Sequence, residues 1–380
     1  MRFAFTRKTQ PLALNVVGCG YNLLTYRRVL IIACYHPVNI WLSPILKDNG
    51  KHEVVHNYDS RYHYDYKQSQ RACGYCIGCR LAKSLEWAVR IQHEASLYWH
   101  NCWLTLTLND DYLYTRENPY SVERGRTSEI TRFLKRLRKK YGEGIRYYYC
   151  AEYGETCFFC NKNEKHCECD DYYSWRGRPH YHICMFNHDF DDKELYKVIN
   201  GKPHYTSQEL DALWTDPETE KFMGWATISE LTPDNAAYTA RYTMKKLYGQ
   251  MAYEDDPNTH IGYYQRIDPD GRIWDLIPEY TNMSRGSKKL NTGGIGKGWM
   301  EQFAKEVMDN DSVLYKNYRL KPPRYYDDFV DKIHPLLLEE NKLARIDKSE
   351  KFEENNTPER LAVREYIQQQ KAEKLYRKEI

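Results

Sequence analysis

The middle of the chain alternates apolar and polar positions with the two-residue period of β-strands. Residues 102–108, CWLTLTL, carry three leucines on one face of a strand and a tryptophan with two threonines on the other. Residues 145–155, 178–186 and 225–231 give further strand patterns, rich in aromatic and β-branched side chains. A strand with one apolar face covers a core, so this region is predicted to form a sheet.

Helices are predicted between and after these strands. Apolar residues recur with helical spacing over 81–99, and Thr127 or Ser128 can cap a helix that ends at Gly142. Further helices are predicted over 207–215, 233–249, 300–308 and 358–378, whereas 250–300 is predicted to be mostly loop. The order of elements predicts an α+β fold: a central antiparallel sheet of about five strands flanked by helices.

Three regions follow from this organisation. Residues 33–100 are a cysteine-containing segment with short strands and one helix, and residues 101–250 are the core. The core carries a cysteine-rich insertion at 156–175. Residues 251–380 form a loop-rich and helical C-terminal region, which ends in a charged amphipathic helix.

Composition places this chain of 380 residues among soluble globular proteins, with 41% hydrophobic and 29% charged residues. The apolar run VLIIAC is far shorter than the ~20 residues of a membrane helix, and no cleavable signal peptide is evident. Most of the twelve cysteines fall in two tight clusters, whose spacing suits metal thiolates in a reducing compartment better than disulfides. A cytoplasmic protein without a membrane partner is expected.

Two histidines stand one residue apart in the strand RPHYHICMF. Because successive strand side chains point to opposite faces, His180 and His182 share one face while the other face is apolar. Two imidazoles at this spacing can bind one divalent ion and leave coordination positions open. A polar strand face without a metal gives the same short pattern, so the neighbouring strands decide between these interpretations.

The preceding predicted strand can supply an acidic ligand. Glu152 shares a strand face with Tyr148 and Cys150, and Glu155 at the strand end is the competing candidate. Two imidazoles and one carboxylate suit Mg²⁺ or Mn²⁺, which as a Lewis acid polarises a phosphate oxygen.

A tyrosine pair lies on the helix predicted over 233–249. Tyr238 and Tyr242 are four residues apart and therefore lie on one helix face, which Lys245 or Lys246 continues by another turn. A phenol with a pKa near ~10 becomes a nucleophile when a cation or metal favours its ionised form. The alternative is an ordinary amphipathic helix that packs two aromatic rings.

These motifs together resemble a known family. WLTLTLND, GRPHYHICMF and YTARYTMKK follow the order and approximate spacing of the three motifs of HUH endonucleases, which start rolling-circle replication. With ACYHP, CGYCIGCRLAKSLEWAVR, AEYGE and MSRG…GGIGKGW, residues 33–300 more closely resemble the replication initiators of gokushoviruses. Gokushoviruses are small single-stranded DNA phages of the Microviridae.

The resemblance implies an HUH/RRM-like nuclease fold for residues 101–250 and a site-specific nicking activity. His180, His182 and Glu152 would bind the metal, and one tyrosine would attack the scissile phosphate. The products are a 5′-phosphotyrosine link and a free 3′-OH that primes synthesis. The second tyrosine would cut the regenerated origin so that the strand can be joined into a circle. The motif lysine would be Lys246, with Lys245 nearly as well placed.

The implied partner is single-stranded DNA at the replication origin in the host cytoplasm, and no small-molecule substrate is expected. The sequence contains no GxxxxGK[ST] phosphate-binding loop, so strand separation is expected from a host helicase, followed by a host polymerase. The resembling proteins begin near residues 33–37. Residues 1–32 are therefore an N-terminal extension or a mis-called start, and no function is assigned to them.

The first cysteine cluster predicts a structural zinc site. Cys73, Cys76 and Cys79 form CxxCxxC, and thiolates at this spacing can wrap one Zn²⁺. Cys34 or His36 in ACYHP can supply the fourth ligand, and the resemblance favours Cys34.

The second cluster lies inside the insertion at 156–175. Its candidate zinc ligands are Cys157, Cys160, Cys167 and Cys169, with His166 in reserve. The alternative is a polar loop without a metal.

Residues 132–140, RFLKRLRKK, carry six cations and no acid on a predicted amphipathic helix. Arg132, Lys135, Arg136 and Lys139 lie on its exposed face and are predicted to contact DNA phosphates, with a steep salt dependence. The 35 tyrosines could stack on unpaired bases or reflect a biased genome composition.

Two other functions fit the same residues. A plasmid or transposon replication protein of the HUH superfamily would use identical chemistry in another genetic context. A zinc-dependent nucleic-acid-binding protein without catalysis would bury the tyrosines in its core.

Overall fold

A computed structural model of the protein describes residues 34–46, 52–56, 66–154, 156, 177–245, 262–268, 270–351 and 353–377. Near its N-terminal end, β1 (Val38–Leu46), β2 (His52–Val55) and β3 (Lys67–Arg71) form a small antiparallel sheet in the order β2-β1-β3. Helix α1 (Ile77–Ala95) follows and begins four residues before the predicted Leu81. It does so because the Cys76 side chain accepts a hydrogen bond from the backbone N–H of Cys79 and caps the helix.

The core region contains ten elements in chain order. They are β4 (Asn101–Thr107), α2 (Asp110–Tyr114), α3 (Glu129–Tyr141), β5 (Arg146–Tyr153), β6 (Pro179–Phe186), β7 (Glu194–Ile199), β8 (Lys202–Thr206), α4 (Gln208–Leu213), β9 (Ala226–Glu230) and α5 (Pro233–Lys245). The predicted strands and helices of this region are thereby confirmed within one to four residues at their described ends.

The C-terminal region adds short strands and four longer helices. They are β10 (Gln265–Ile267), β11 (Ile273–Asp275), β12 (Tyr280–Met283), α6 (Lys297–Asn310), β13 (Val313–Tyr315), β14 (Tyr318–Leu320), α7 (Arg324–Ile333), α8 (Pro335–Glu350) and α9 (Pro358–Arg377). The predicted C-terminal helix over 358–378 is confirmed as α9.

The α+β prediction is confirmed, but the central antiparallel sheet has seven strands, in the order β12-β5-β6-β4-β9-β8-β7, rather than about five. The unpredicted strands lie at its two edges. All six residues of β7 are exposed, so this strand has no apolar alternation, and the four-residue β12 falls inside the segment predicted as loop. Edge strands are often short and polar, which removes the sequence pattern that identifies a buried strand.

Both faces of the sheet are covered, each by different helices. The predicted leucine face of β4 is buried with Tyr149 and Tyr181 against Phe133 and Leu137 of α3. The opposite face buries Trp103 together with α1 and with Ala236 and Ala240 of α5. Each fully buried Leu or Phe contributes about 1.5–3 kcal/mol relative to exposure, and the small alanines let α5 lie close to the sheet.

Gly224 holds the start of β9 against the end of β4. Its φ is +149°, and a Cβ there would lie 2.2 Å from the carbonyl oxygen of Thr107. Only glycine fits this approach, which is stabilised by hydrogen bonds from Thr107 N–H to Trp225 O and from Asn109 N–H to Met223 O. No helix in the described part of the chain combines the length and apolar composition needed to cross a membrane.

Candidate metal centre and tyrosine helix

The antiparallel pairing of β5 with β6 brings the predicted metal ligands together. Glu152 lies opposite His180, and Cys150 lies opposite His182, so all three candidate ligands project from one face. The Nε2 atoms of His180 and His182 lie 2.9 and 2.8 Å from the same carboxylate oxygen of Glu152. The carboxylate is 1% exposed. Neighbouring ligand atoms of an octahedral ion at ~2.1 Å lie about 3.0 Å apart, so these separations fit a hard divalent cation.

The outer nitrogen of each imidazole is held by the protein. His182 Nδ1 lies 3.0 Å from the Thr105 hydroxyl, and His180 Nδ1 lies 3.0 Å from the carbonyl oxygen of Arg178. A carbonyl oxygen only accepts, so the Nδ1 of His180 carries the proton and its Nε2 faces Glu152. The contact between Nε2 and the carboxylate is then favourable only if Nε2 is also protonated or a cation lies between them. These residues therefore fit a metal ion.

The charge state of Glu152 suits the same role. Burial by itself would raise the pKa of this carboxyl group. The charge of His180 and the hydrogen bonds from both histidines outweigh burial and lower the pKa of Glu152 to about 2. The group is therefore an ionised, acceptor-only ligand at neutral pH.

A tyrosine and a tryptophan surround His182. The Trp103 ring stacks on the His182 ring at 4.6 Å with an interplanar angle of 8°, and the Tyr238 ring meets His182 edge-on at 5.1 Å. Trp103 Nε1 donates a hydrogen bond of 2.9 Å to the hydroxyl of Thr239, the residue after Tyr238. This bond fixes α5 on the sheet, so that the predicted tyrosine helix and the metal ligands lie on the same face.

The remaining predicted catalytic residues are only partly described. The backbone of Tyr242 and Lys245 lies within α5, but their side chains are outside the described residues. Lys246 and Glu155 also lie outside the described residues, as do the second cysteine cluster and residues 1–32. The choice between Lys245 and Lys246 therefore stays a prediction.

The first cysteine cluster assembles around the start of α1. The sulfur atoms of Cys34, Cys73, Cys76 and Cys79 all lie within 4.8 Å of one another. The Cys73–Cys79 and Cys34–Cys76 sulfur pairs are each 3.9 Å apart. Tetrahedral coordination at a Zn–S distance of ~2.3 Å places neighbouring sulfurs about 3.8 Å apart, so this geometry fits Zn²⁺.

Backbone N–H groups point at these sulfurs. Tyr35 N–H and Cys79 N–H donate to Cys76 Sγ at 3.4 and 3.5 Å, and Cys73 N–H donates to Cys34 Sγ at 3.2 Å. Burial raises the pKa of Cys76, but these donors outweigh it and lower the pKa to about 7. His36, the other predicted fourth ligand, instead lies 2.6 Å from Glu365 of α9.

The basic helix is only partly available to a ligand. Arg132, Lys135 and Lys139 are exposed on α3. Arg136 is half-buried and donates two hydrogen bonds, of 3.0 and 2.7 Å, to the carbonyl oxygen of Leu213 at the end of α4. Arg136 thus joins two helices, because its long side chain reaches the unpaired carbonyl of a helix C-terminus.

Sequence reasoning missed the residues that orient the ligands. Thr105 was expected to face DNA or a neighbouring strand, and it contacts His182 across the β4–β6 pairing. The position of Thr105 on the same β4 face as Trp103 was the available signal. The backbone carbonyl of Arg178 gave no signal, because a carbonyl group is present at every residue.

Comparison with known proteins links the metal residues to replication proteins. A family model for replication-associated proteins of the ORF2 type matches residues 101–247, which contain β4 through α5. Replication-associated protein ORF2 of Spiroplasma virus 4 is 33% identical over 313 residues, 78% of this chain and 79% of that protein. Replication-associated protein VP4 of Bdellovibrio phage phiMH2K is 29% identical over 273 residues, 69% of this chain and 68% of that protein. No solved structure matches the chain.

Proposed function

Because the chain belongs to the ORF2-type family of phage replication-associated proteins, we propose that it initiates replication by nicking one DNA strand at the phage origin. One observation carries the proposal: two imidazoles meet one buried carboxylate next to a tyrosine of the adjacent helix. This arrangement combines a cation site with a nucleophile, which are the two requirements for tyrosine attack on a phosphodiester.

His180, His182 and Glu152 would hold Mg²⁺ or Mn²⁺. When bound, the cation would act as a Lewis acid that polarises a non-bridging oxygen of the scissile phosphate. Thr105 and the Arg178 carbonyl fix the imidazole rings, so the lone pairs of both Nε2 atoms point inward. Trp103 and Tyr238 cover His182 and limit the access of water to this side of the site.

Tyr238 is our proposed nucleophile for the first cleavage, supported by its contact with His182. Its hydroxyl loses a proton as the oxygen bonds to phosphorus, and the departing 3′ oxygen gains a proton. The products are a 5′-phosphotyrosine and a 3′-OH that primes synthesis. One phosphodiester replaces another, so no ATP is consumed.

Tyr242 lies one helical turn further on and would perform the second cleavage, which allows the new strand to be joined into a circle. Lys246, or Lys245, would stabilise the charge on the pentacoordinate phosphate. A host helicase and a host polymerase would supply strand separation and synthesis.

The cysteine cluster would hold a structural Zn²⁺ in this scheme. Cys76 and Ile77 at the start of α1 pack against Leu361 and Ala372 of α9. A zinc ion bound here would therefore connect the N-terminal segment, α1 and the C-terminal helix.

The test is covalent capture of DNA. The protein is incubated with Mn²⁺ and single-stranded oligonucleotides tiling the origin region, and adducts are resolved on a denaturing gel. We expect an adduct with the wild-type protein, a strong loss with Tyr238→Phe, and complete loss with the Tyr238→Phe/Tyr242→Phe double variant.

Tyr366→Phe provides the matched control, because Tyr366 is 63% exposed on α9. It should form the adduct at the wild-type rate. An adduct that persists in the double variant refutes the tyrosine mechanism. Binding of origin DNA without any adduct would favour the non-catalytic alternative.

A further inference from the structure

A second, strongly basic cleft lies between α3, the loop before it, and β12. The cleft has a volume of about 1140 Å³. Six cationic side chains that line it are Arg124, Arg126, Lys135, Arg138, Lys139 and Arg285. Glu143 is a carboxylate on the same lining, and it lies 3.4 Å from Lys289. The excess of positive charge is therefore large and local.

Aromatic rings lie between these cations. The Arg138 guanidinium lies 5.0 Å from the centre of the Tyr147 ring, and the Arg124 guanidinium lies 5.3 Å from the Tyr280 ring. Tyr149 lies between these two tyrosines, with ring separations of 5.8 and 6.0 Å, and accepts a hydrogen bond from Asn282. Cations that follow a phosphate backbone beside rings that stack on bases are the common design of single-strand binding sites.

The cleft and the metal centre lie on opposite faces of the sheet. Tyr147 and Tyr149 alternate along β5 with Cys150 and Glu152, so their side chains project the other way. Only β12 lies beyond β5 on this side of the sheet. A strand leaving the Glu152 side thus needs to pass one edge strand to reach the cleft.

The MSRG motif contributes to this wall of the cleft. Ser284 and Arg285 line the cleft. Ser284 N–H donates to Tyr147 O at 2.9 Å, and Tyr147 N–H donates to the Ser284 hydroxyl at 3.0 Å. The motif thus continues the pairing of the edge strand and carries Arg285 beside the tyrosines. The nicking chemistry assigns no role to this motif.

Size and chemistry select the occupant. The volume exceeds the ~300–1,000 Å³ of small-molecule sites, so a polymer fits better than a metabolite. Duplex DNA keeps its base faces stacked inside the helix, whereas the tyrosines of this cleft can stack only on exposed bases. We propose that the cleft binds a segment of single-stranded DNA and holds one arm of the nicked origin away from the metal centre. This inference rests on the proposed replication function.

The test measures binding of a labelled single-stranded oligothymidylate by fluorescence anisotropy over a series of salt concentrations. Lys135→Ala/Lys139→Ala removes two exposed cations of the cleft. We expect about tenfold weaker binding at low salt and a salt slope lower by about 1.4, since each single-strand phosphate contact contributes ~0.7. Lys332→Ala/Lys342→Ala removes two exposed cations from α7 and α8 and should change neither quantity.

Photo-cross-linking of the same protein to bromodeoxyuridine-substituted DNA locates the strand directly. Cross-links on peptides that contain Tyr147 or Tyr280 support the proposal. An unchanged salt slope in Lys135→Ala/Lys139→Ala overturns it. So does an equal loss in the α7–α8 control, duplex DNA competing as well as the single strand, or cross-links confined to α5.

The binding assay is independent of nicking, so the two proposals can fail separately. If the tyrosine adduct never forms but the slope and cross-links behave as expected, the cleft stands and the nicking mechanism falls. If the adduct forms but the cleft variants bind like the wild type, the nicking mechanism stands and the cleft proposal falls.

Discussion

The hydroxyl of Thr105 should determine how tightly the protein binds its catalytic cation. For His182 to present an Nε2 lone pair to a metal, the ring proton must sit on Nδ1, and Thr105 Oγ1 is 3.0 Å from that atom. Thr105→Val keeps the side-chain shape and removes this hydrogen-bond acceptor. The variant therefore perturbs the tautomer and orientation of one ligand without touching the metal site itself.

The expected loss follows from the value of one partly buried hydrogen bond. A neutral hydrogen bond contributes about 0.5–1.5 kcal/mol, and lost orientation of a metal-binding histidine costs about 10–100-fold in affinity or activity. We therefore expect Thr105→Val to weaken Mn²⁺ binding about tenfold, or about 1.4 kcal/mol. Isothermal titration of Mn²⁺ into metal-free protein measures this change, and thermal unfolding of both proteins confirms that the fold is intact.

Thr227 offers a matched control, because it lies directly opposite Thr105 on β9 and is also half-buried. Thr227→Val makes the same chemical change one strand further from His182, and its Mn²⁺ affinity should stay at the wild-type value. The reasoning is refuted if Thr105→Val binds Mn²⁺ as tightly as the wild type, or if both variants lose affinity equally.

Two other predictions follow from buried groups. Cys34→Ser should lose the zinc that the wild-type protein retains through gel filtration and should melt at a lower temperature, whereas His180→Ala/His182→Ala should keep that zinc; equal zinc contents by atomic emission would contradict the assignment. Burial lowers the pKa of His93 to about 4, so the folded state stays neutral while the unfolded state takes up a proton near ~6.5. The free energy of unfolding should therefore fall by up to about 3 kcal/mol between pH 6.5 and 4, and His93→Gln should flatten that dependence in denaturant titrations; an equally steep fall would show that His93 is not responsible.

The strand and helix patterns of the core could be predicted from local sequence because each has a strong period. The three leucines of β4 and the alternation in β6 fixed which side chains face the core. The same alternation placed His180 and His182 on one face. The edge strands β7 and β12 were missed because exposed pairing leaves no apolar signature.

The sequence by itself determined the types and order of the ligands, because two-residue spacing along a strand fixes their common face. Only the tertiary structure decided that Glu152 lies 2.8–2.9 Å from both imidazoles, since that distance depends on the register between β5 and β6. Register likewise placed Thr105 beside His182. Cys34 joins Cys73, Cys76 and Cys79, while His36 pairs with Glu365 across 329 residues of sequence. Contacts of such separation are set by the packing of whole elements, and local periodicity does not encode them.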